Sequence, residues 1–258
     1  MNLRNQITGS DSADPAWQAL YTLAGVAALL AAVLTLSEVI VFAFYPQPGT
    51  IRDWFMRFQS NPLLGLVNFW GLEVPMYLMF ALVFLALYVL LRNADEGRMA
   101  IAITLALLGL GIFLATNNPF SMLSLSRQYA AAATGSEREM LLAAGQALLA
   151  STGQRAVGGF NLGLFLVSLA GLIVSSVMLR SHVFGRWTAY LGLLAHALSL
   201  ADYLRQALTS SAMVALLVIL PNALFLVIWY VSLGRRLYQL GQLERRMLPR
   251  PRFVSRRS

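Results

Sequence analysis

Six long apolar runs dominate this 258-residue chain and leave few folds open to it. A helix needs about 20 apolar residues to cross roughly 30 Å of hydrocarbon, because each residue adds about 1.5 Å along the helix axis. The runs cover residues 17–45, 63–91, 99–117, 157–179, 187–204 and 212–233. They predict an all-α fold, a polytopic membrane helix bundle with about six transmembrane helices.

Composition excludes several classes of function. The chain is 58% hydrophobic and 12% charged, whereas soluble domains carry about 25% charged residues, so an ordinary soluble enzyme is excluded. All 19 basic residues are arginine and no cysteine occurs, which excludes lysine Schiff bases, disulfides and thiolate sites. Only two histidines, His182 and His196, are present. We therefore favour a non-enzymatic protein and predict no metal site, cofactor or catalytic residue.

The placement of arginine predicts the orientation of the bundle, because cytoplasmic loops retain positive charge. With six spans, 13 of the 19 arginines lie on the side that carries both termini, eight of them within residues 235–258. We expect a polar cytoplasmic segment over 1–16, a transmembrane domain over 17–234 and a basic cytoplasmic tail over 235–258. The tail is expected to extend the last helix along the membrane surface and to contact anionic lipid headgroups. No motif indicates nucleic-acid binding.

The segment 118–156, between the third and fourth spans, is predicted to be an extracytoplasmic helical hairpin. Its two helical stretches meet at Thr134 and Gly135, and Ser136 followed by Glu139 fits a capping box for the second stretch. One interpretation is a hairpin packed on the outer surface of the bundle. The other is a lid over an outward cavity, with lid residues Asn118, Arg127 and Tyr129.

Polar side chains inside the predicted spans are the candidate functional residues. A charge within a span costs roughly 2.5 to 3.5 kcal/mol on insertion scales, so each requires a partner or a purpose. The candidates in the predicted outer half or midplane of the spans are Glu38, Glu73, Asn161, His196, Asp202 and Asn222. Arg155 and Arg205, next to the ends of the fourth and fifth spans, are the candidate ion-pair partners. Glu73 stands next to a kink expected at Pro75.

Two interpretations of these residues remain open. In the first they satisfy one another, Asp202 with Arg205 and either glutamate with Arg155 or Arg205. In the second they line a polar pocket that opens outward and keeps negative charge for a cation or a proton. His196, alone on an apolar helix, is predicted to be a packed, hydrogen-bonded histidine rather than a metal ligand. The spacings of Gly159, Gly163 and Gly171 predict close approach of a neighbouring helix to the fourth span.

Two stretches resemble a known family. Residues 118–126 (NPFSMLSLS), with QYAAA at 128–132 and the following LLAAGQALLA, are similar to bacterial multi-pass proteins grouped as domain of unknown function 4386. Residues 177–204 resemble the same family, and the resemblance spans about 17–234. It implies a compact bacterial inner-membrane protein of six or seven helices, with no catalytic residues to transfer.

Three functions follow as hypotheses. The first is a transporter-like or sensor-like membrane protein whose outward-facing pocket binds a small or lipidic ligand. The second is a structural or partner-binding bundle whose polar residues are packing contacts only. The third, an intramembrane hydrolase or lipid-modifying enzyme, has no supporting motif.

Overall fold

A computed structural model describes residues 15–153, 160–208 and 212–247, and the regular structure in these ranges is helical. The helices are α1 (Pro15–Phe44), α2 (Ile51–Ser60), α3 (Pro62–Leu66), α4 (Glu73–Leu91), α5 (Glu96–Thr116), α6 (Pro119–Ala131), α7 (Gly135–Ser151), α8 (Leu162–Met178), α9 (Arg186–Leu208) and α10 (Ala212–Met247). The all-α prediction is confirmed.

Six of the described helices pack side by side in a closed ring. Around the ring each helix touches the next in the order α1, α4, α5, α8, α9, α10, and α10 returns to α1. We call the end at which α1 begins and α10 ends the terminal end, and the opposite end the cap end. The main hydrophobic core draws on all six helices.

Four helical segments are long and apolar enough to cross a membrane, which indicates a multi-pass membrane protein. They are Trp17–Phe44, Pro62–Leu91, Glu96–Ala131 and Leu216–Gln242. The apolar helix Leu162–Met178 is shorter, and α9 carries the charged residues Asp202 and Arg205. Length and composition therefore support four spans directly, while six crossings remain a prediction.

Glycines allow close helix contacts in the ring. A Cβ added to Gly163 of α8 would lie 2.6 Å from the carbonyl oxygen of Gly109 on α5, so only a glycine pair permits this approach. The predicted packing role of Gly163 is thereby confirmed. Gly171 instead faces the side chain of His196, and Gly159 lies outside the described residues.

A second, aromatic-rich core joins α2, α3, α6 and α7 at the cap end. Trp54, Phe55 and Phe58 of α2 are buried there, and Tyr129 of α6 packs on Phe55 with ring centroids 5.2 Å apart. The predicted hairpin therefore exists as α6 and α7, and it packs against α2 and α3.

The cap of α7 differs from the predicted one. The Thr134 side chain accepts a hydrogen bond from the amide of Glu137, and the Glu137 carboxylate accepts one from the amide of Ala133. Two overlapping Ser/Thr-x-x-Glu patterns stand in this segment, and the earlier one caps the helix. Ser136 therefore lies inside the first turn, and the prediction that Ser136 and Glu139 form the cap is wrong.

The tail prediction is also corrected. Helix α10 runs without interruption through residue 235 to Met247, and Leu237 and Leu240 are buried in the main core. A Cβ at Gly25 of α1 would lie 2.6 Å from the Tyr238 backbone nitrogen. Residues 235–247 thus continue the ring helix against α1 instead of lying along a surface.

Candidate functional site

The ring encloses a partly open cavity of about 300 Å³ near its cap end. Six of the eight polar residues predicted from the spans line it: Glu38, Glu73, Asn161, His196, Asp202 and Asn222. They come from α1, α4, the start of α8, α9 and α10, so the ring brings together groups that lie far apart in the sequence. Arg155 lies outside the described residues.

Glu73 is the first residue of α4 and its side chain is buried, with 2% of its surface exposed. Apart from the facing Glu38 carboxyl group, neither carboxylate oxygen has a hydrogen-bond partner in the described part of the chain. Glu38 of α1, which is half-buried, is its electrostatic neighbour. Two carboxyl groups from different helices therefore face each other in the cavity.

A break in the second predicted span positions Glu73. The backbone leaves helical geometry at Phe69 and Trp70 between α3 and α4. Pro75 stands four residues after Gly71, so its ring would clash with the Gly71 carbonyl in a continuous helix. The break lies on the N-terminal side of the proline, earlier than the kink expected at Pro75 itself.

Trp70 has a φ of 60° and lies in the left-handed region, which is sterically unfavourable for a bulky residue. Its ring lines the cavity and meets Phe113 of α5 edge to face, with centroids 6.0 Å apart. The neighbouring Asn68 side chain donates a hydrogen bond to the Tyr45 backbone carbonyl at 2.6 Å, and the Asn68 backbone carbonyl accepts one from the Gln47 side chain. These bonds tie the break to the end of α1.

His196 lies in the cavity wall with 3% of its surface exposed. Its ring occupies the space left by Gly171 and meets Trp229 of α10 edge to face at 4.9 Å. Its Nε2 atom has no hydrogen-bond partner among the described residues. The predicted packing is present, but the predicted hydrogen bond at this atom is not.

Asp202 and Arg205 form the ion pair that their spacing on α9 predicts. The Arg205 Nε atom donates to the Asp202 Oδ1 atom at 2.7 Å, and both residues are 8% exposed. A buried, hydrogen-bonded pair of this kind offsets much of the cost of removing each charge from water. The Asp202 charge is therefore compensated.

Asn161 has a structural role besides lining the cavity. Its side-chain oxygen accepts from the Leu164 amide and so caps α8, while its Nδ2 atom donates to the Thr152 carbonyl at 3.1 Å. The Asn117 amide lies beside the same Thr152 carbonyl, at 3.5 Å. Asn161 therefore joins the ends of α5 and α7 to the start of α8.

Asn222 of α10 is held by Ser199 of α9, whose hydroxyl donates to the Asn222 Oδ1 atom at 3.1 Å. Pro221 precedes it within the helix and lacks the backbone N–H that would continue the hydrogen-bond ladder. Asn222 therefore lines the cavity with its side-chain oxygen already hydrogen-bonded.

Aromatic rings complete the wall, and sequence reasoning missed them. Trp70, Tyr77, Phe80, Tyr203 and Tyr230 all line the cavity. Phe80 and Tyr230 stack across the ring with centroids 4.8 Å apart and planes 6° from parallel. The sequence did indicate two of these rings, because Tyr77 and Phe80 follow Glu73 by four and seven residues and so share its face of α4.

The predicted lid residues lie elsewhere. Asn118 caps α6, Arg127 is exposed, and Tyr129 belongs to the aromatic cap core. Of residues 118–153, Gly153 alone lines the cavity. The described part of the hairpin therefore borders the cavity at one glycine instead of covering it.

Comparison with known proteins gives one match. Residues 18–234 match the family model described as Domain of unknown function (DUF4386), which confirms the resemblance read from the sequence. The matched region reaches every helix of the ring. No curated protein and no solved structure matches the chain.

Proposed function

The chain belongs to the domain of unknown function 4386 family, and on that premise we propose that it binds a small, positively charged ligand in the ring cavity. The protein acts as a transporter or a sensor rather than as an enzyme. The observation that carries the proposal is Glu73, a buried carboxyl group in the cavity wall that faces the Glu38 carboxyl group and has no ion-pair partner in the described residues.

The charges around the cavity favour a cation. Asp202 is compensated by Arg205, whereas no ion pair joins Glu38 or Glu73 to a basic side chain within the described ranges. Burying an uncompensated carboxylate is costly. A bound ligand that supplies positive charge removes this cost, and the low dielectric of the site strengthens the attraction.

The aromatic wall favours an organic cation over a simple metal ion. Ring faces attract an ammonium group within about 6 Å of the centroid, by about 2 kcal/mol or more at desolvated sites. Five aromatic rings line one cavity with two carboxyl groups. Rings beside carboxylates suit an amine that carries apolar substituents.

The packing-contact alternative applies to part of the cluster. Asp202, Asn161 and Asn222 each have hydrogen-bonded protein partners, as that interpretation requires. Glu73, Tyr77 and His196 each have a buried polar atom that is left without a partner in the described residues. These three residues favour ligand binding.

The proposal also includes the orientation of the chain in the membrane. We place six crossings in the bacterial inner membrane, with the terminal end in the cytoplasm and the cap end outside. The basic segment that follows α10 contacts anionic headgroups. The cavity then opens toward the outer side, because Glu38, Glu73 and Asn161 lie near the ends of α1, α4 and α8 that face the cap.

Thermal unfolding tests the proposal. The purified chain in lipid nanodiscs is titrated with tetramethylammonium at constant ionic strength, and unfolding is followed by tryptophan fluorescence. We expect a saturable rise in Tm, because a ligand that binds the folded state stabilises it by RT ln(1 + [L]/Kd). Glu73→Gln should abolish the rise.

The matched control is Glu139→Gln, which removes an exposed carboxyl group on α7 and should keep the rise. Absence of any rise in the parent protein, or an equal rise in Glu73→Gln, contradicts the proposal. Uptake of labelled tetramethylammonium by proteoliposomes then separates a transporter, which accumulates it, from a sensor, which does not.

A further inference from the structure

A second cavity of about 480 Å³ adjoins the first. It lies between the cap-end halves of α1 and α10, and the loop at Gln47–Gly49 closes its end. Its walls outside the ring cavity are mainly apolar, with Val39 and Phe42 on α1 and Ala223 on α10. We call this space the α1–α10 cleft.

The cleft and the ring cavity lie side by side and share part of their walls. Both are lined by Thr35, Glu38, Trp70 and Asn222, among other residues. Glu38 therefore stands at their junction, with the carboxyl and aromatic groups of the ring cavity on one side and the apolar cleft on the other. A molecule that fills both spaces needs a charged end and an apolar end.

The packing of α1 and α10 explains why the cleft lies only at the cap end. Toward the terminal end the two helices meet at glycines, and a Cβ at Gly234 would lie 2.9 Å from the Gly25 carbonyl oxygen. Toward the cap end the contact residues are larger and the helices leave a gap between them. Exposed apolar side chains flank the gap, among them Ile40 (57%) and Leu224 (58%), as expected for surfaces that face lipid.

From these observations we infer that the ligand is a single-chain amphipathic amine that reaches the cavity from the bilayer through the α1–α10 cleft. Its ammonium group lies between Glu38, Glu73 and the aromatic rings, and its hydrocarbon chain occupies the cleft. This inference rests on the proposed function, because it requires the ring cavity to bind a cation.

A chain-length series tests the inference. Binding of alkyltrimethylammonium ions with one to eight carbons in the variable chain is measured in lipid nanodiscs by competition against labelled tetramethylammonium. Each methylene buried in the cleft should strengthen binding about fourfold, the value expected for one buried CH₂ group. Competitor concentrations are corrected for partitioning into lipid, measured with empty nanodiscs.

Two matched pairs of variants test whether the hydrocarbon chain of the ligand lies in the α1–α10 cleft. Val39→Trp and Ala223→Trp place a large ring in the cleft, at positions that line the cleft but not the ring cavity. Each should remove the chain-length gain and leave tetramethylammonium binding within about twofold of the parent. Ile40→Trp and Leu224→Trp, at the adjacent lipid-facing positions, should leave both properties unchanged.

The outcomes separate the two proposals. If tetramethylammonium binds but longer chains bind no better, the lateral route is wrong and the proposed function stands. If the chain-length gain survives in both cleft variants, the chain lies elsewhere and the inference is overturned. If no ammonium ion competes at any length, the proposed function itself fails. Tetramethylammonium binding by each variant also shows that the variant is folded.

Discussion

Two single substitutions at carboxyl groups of one cavity should differ sharply in their effect on stability. Asp202→Asn and Glu73→Gln each replace a buried carboxyl group by an amide of nearly equal size. The first removes the negative charge that pairs with Arg205 at 2.7 Å. The second changes a group that makes no ion pair among the described residues. The difference between the two variants therefore reports the contribution of the ion pair to stability, because the size and burial of the side chain change little in either substitution.

The expected magnitudes follow from these contacts. Removing one partner of a buried ion pair costs about 3 to 5 kcal/mol, because the other charge is left uncompensated. A protein of this size loses about 2 to 4 °C of Tm per kcal/mol, so Asp202→Asn should lower Tm by roughly 6 to 20 °C. Glu73→Gln replaces a buried carboxyl group that makes no ion pair in the described residues, and we expect Tm to stay constant or to rise by a few degrees.

The assay is thermal unfolding in lipid nanodiscs without any added ammonium ion, followed by tryptophan fluorescence and checked by far-ultraviolet circular dichroism. A fall in Tm for Glu73→Gln comparable to that of Asp202→Asn would refute the reasoning. It would mean that Glu73 has a stabilising partner, with Arg155 the first candidate, and would favour the packing interpretation of the whole cluster.

Two further predictions concern the cap end. Thr134→Ala should destabilise the chain by about 1 kcal/mol through loss of the α7 cap, while Ser136→Ala should have little effect; equal losses measured by thermal unfolding would contradict the assigned cap. The chain has no cysteine, so single-cysteine variants report topology directly. Gly135→Cys, at the first residue of α7, should react with an impermeant maleimide in intact cells, and Ala94→Cys, between α4 and α5, only after permeabilisation; the reverse pattern would invert the proposed orientation.

Helix positions were predictable where a polar or helix-breaking residue bounds an apolar run. The first run, predicted over 17–45, becomes α1 (Pro15–Phe44), and the third, predicted over 99–117, becomes α5 (Glu96–Thr116). The end of the sixth run was not predictable in this way. Its polar extension carries apolar residues at helical spacing, and Leu237 and Leu240 bury against the core.

The polar residues of the cavity were predictable from the sequence. A charged or amide side chain inside an apolar span is rare, so each such residue identifies itself as a candidate without knowledge of its neighbours in the fold. The aromatic residues of the cavity were not predictable, since an aromatic ring in an apolar run is equally suited to lipid, to a helix interface or to a cavity wall. Tyr77 and Tyr230 become wall residues only once the ring order brings α4 beside α1 and α1 beside α10. A sequence of apolar runs carries little information on that order.

Several unfavourable features meet at one place in this fold. Trp70 is held in a left-handed conformation that costs roughly 1 to 3 kcal/mol, and Glu73, three residues later, is buried without a partner among the described residues. The terminal end shows the opposite, with tight contacts between Gly25 and Gly234 and a dense core. Backbone strain and a buried carboxyl pair without a basic partner, standing together beside a cavity, are typical of a site whose bound state supplies the missing interactions, and a cationic ligand between Glu38 and Glu73 would supply them.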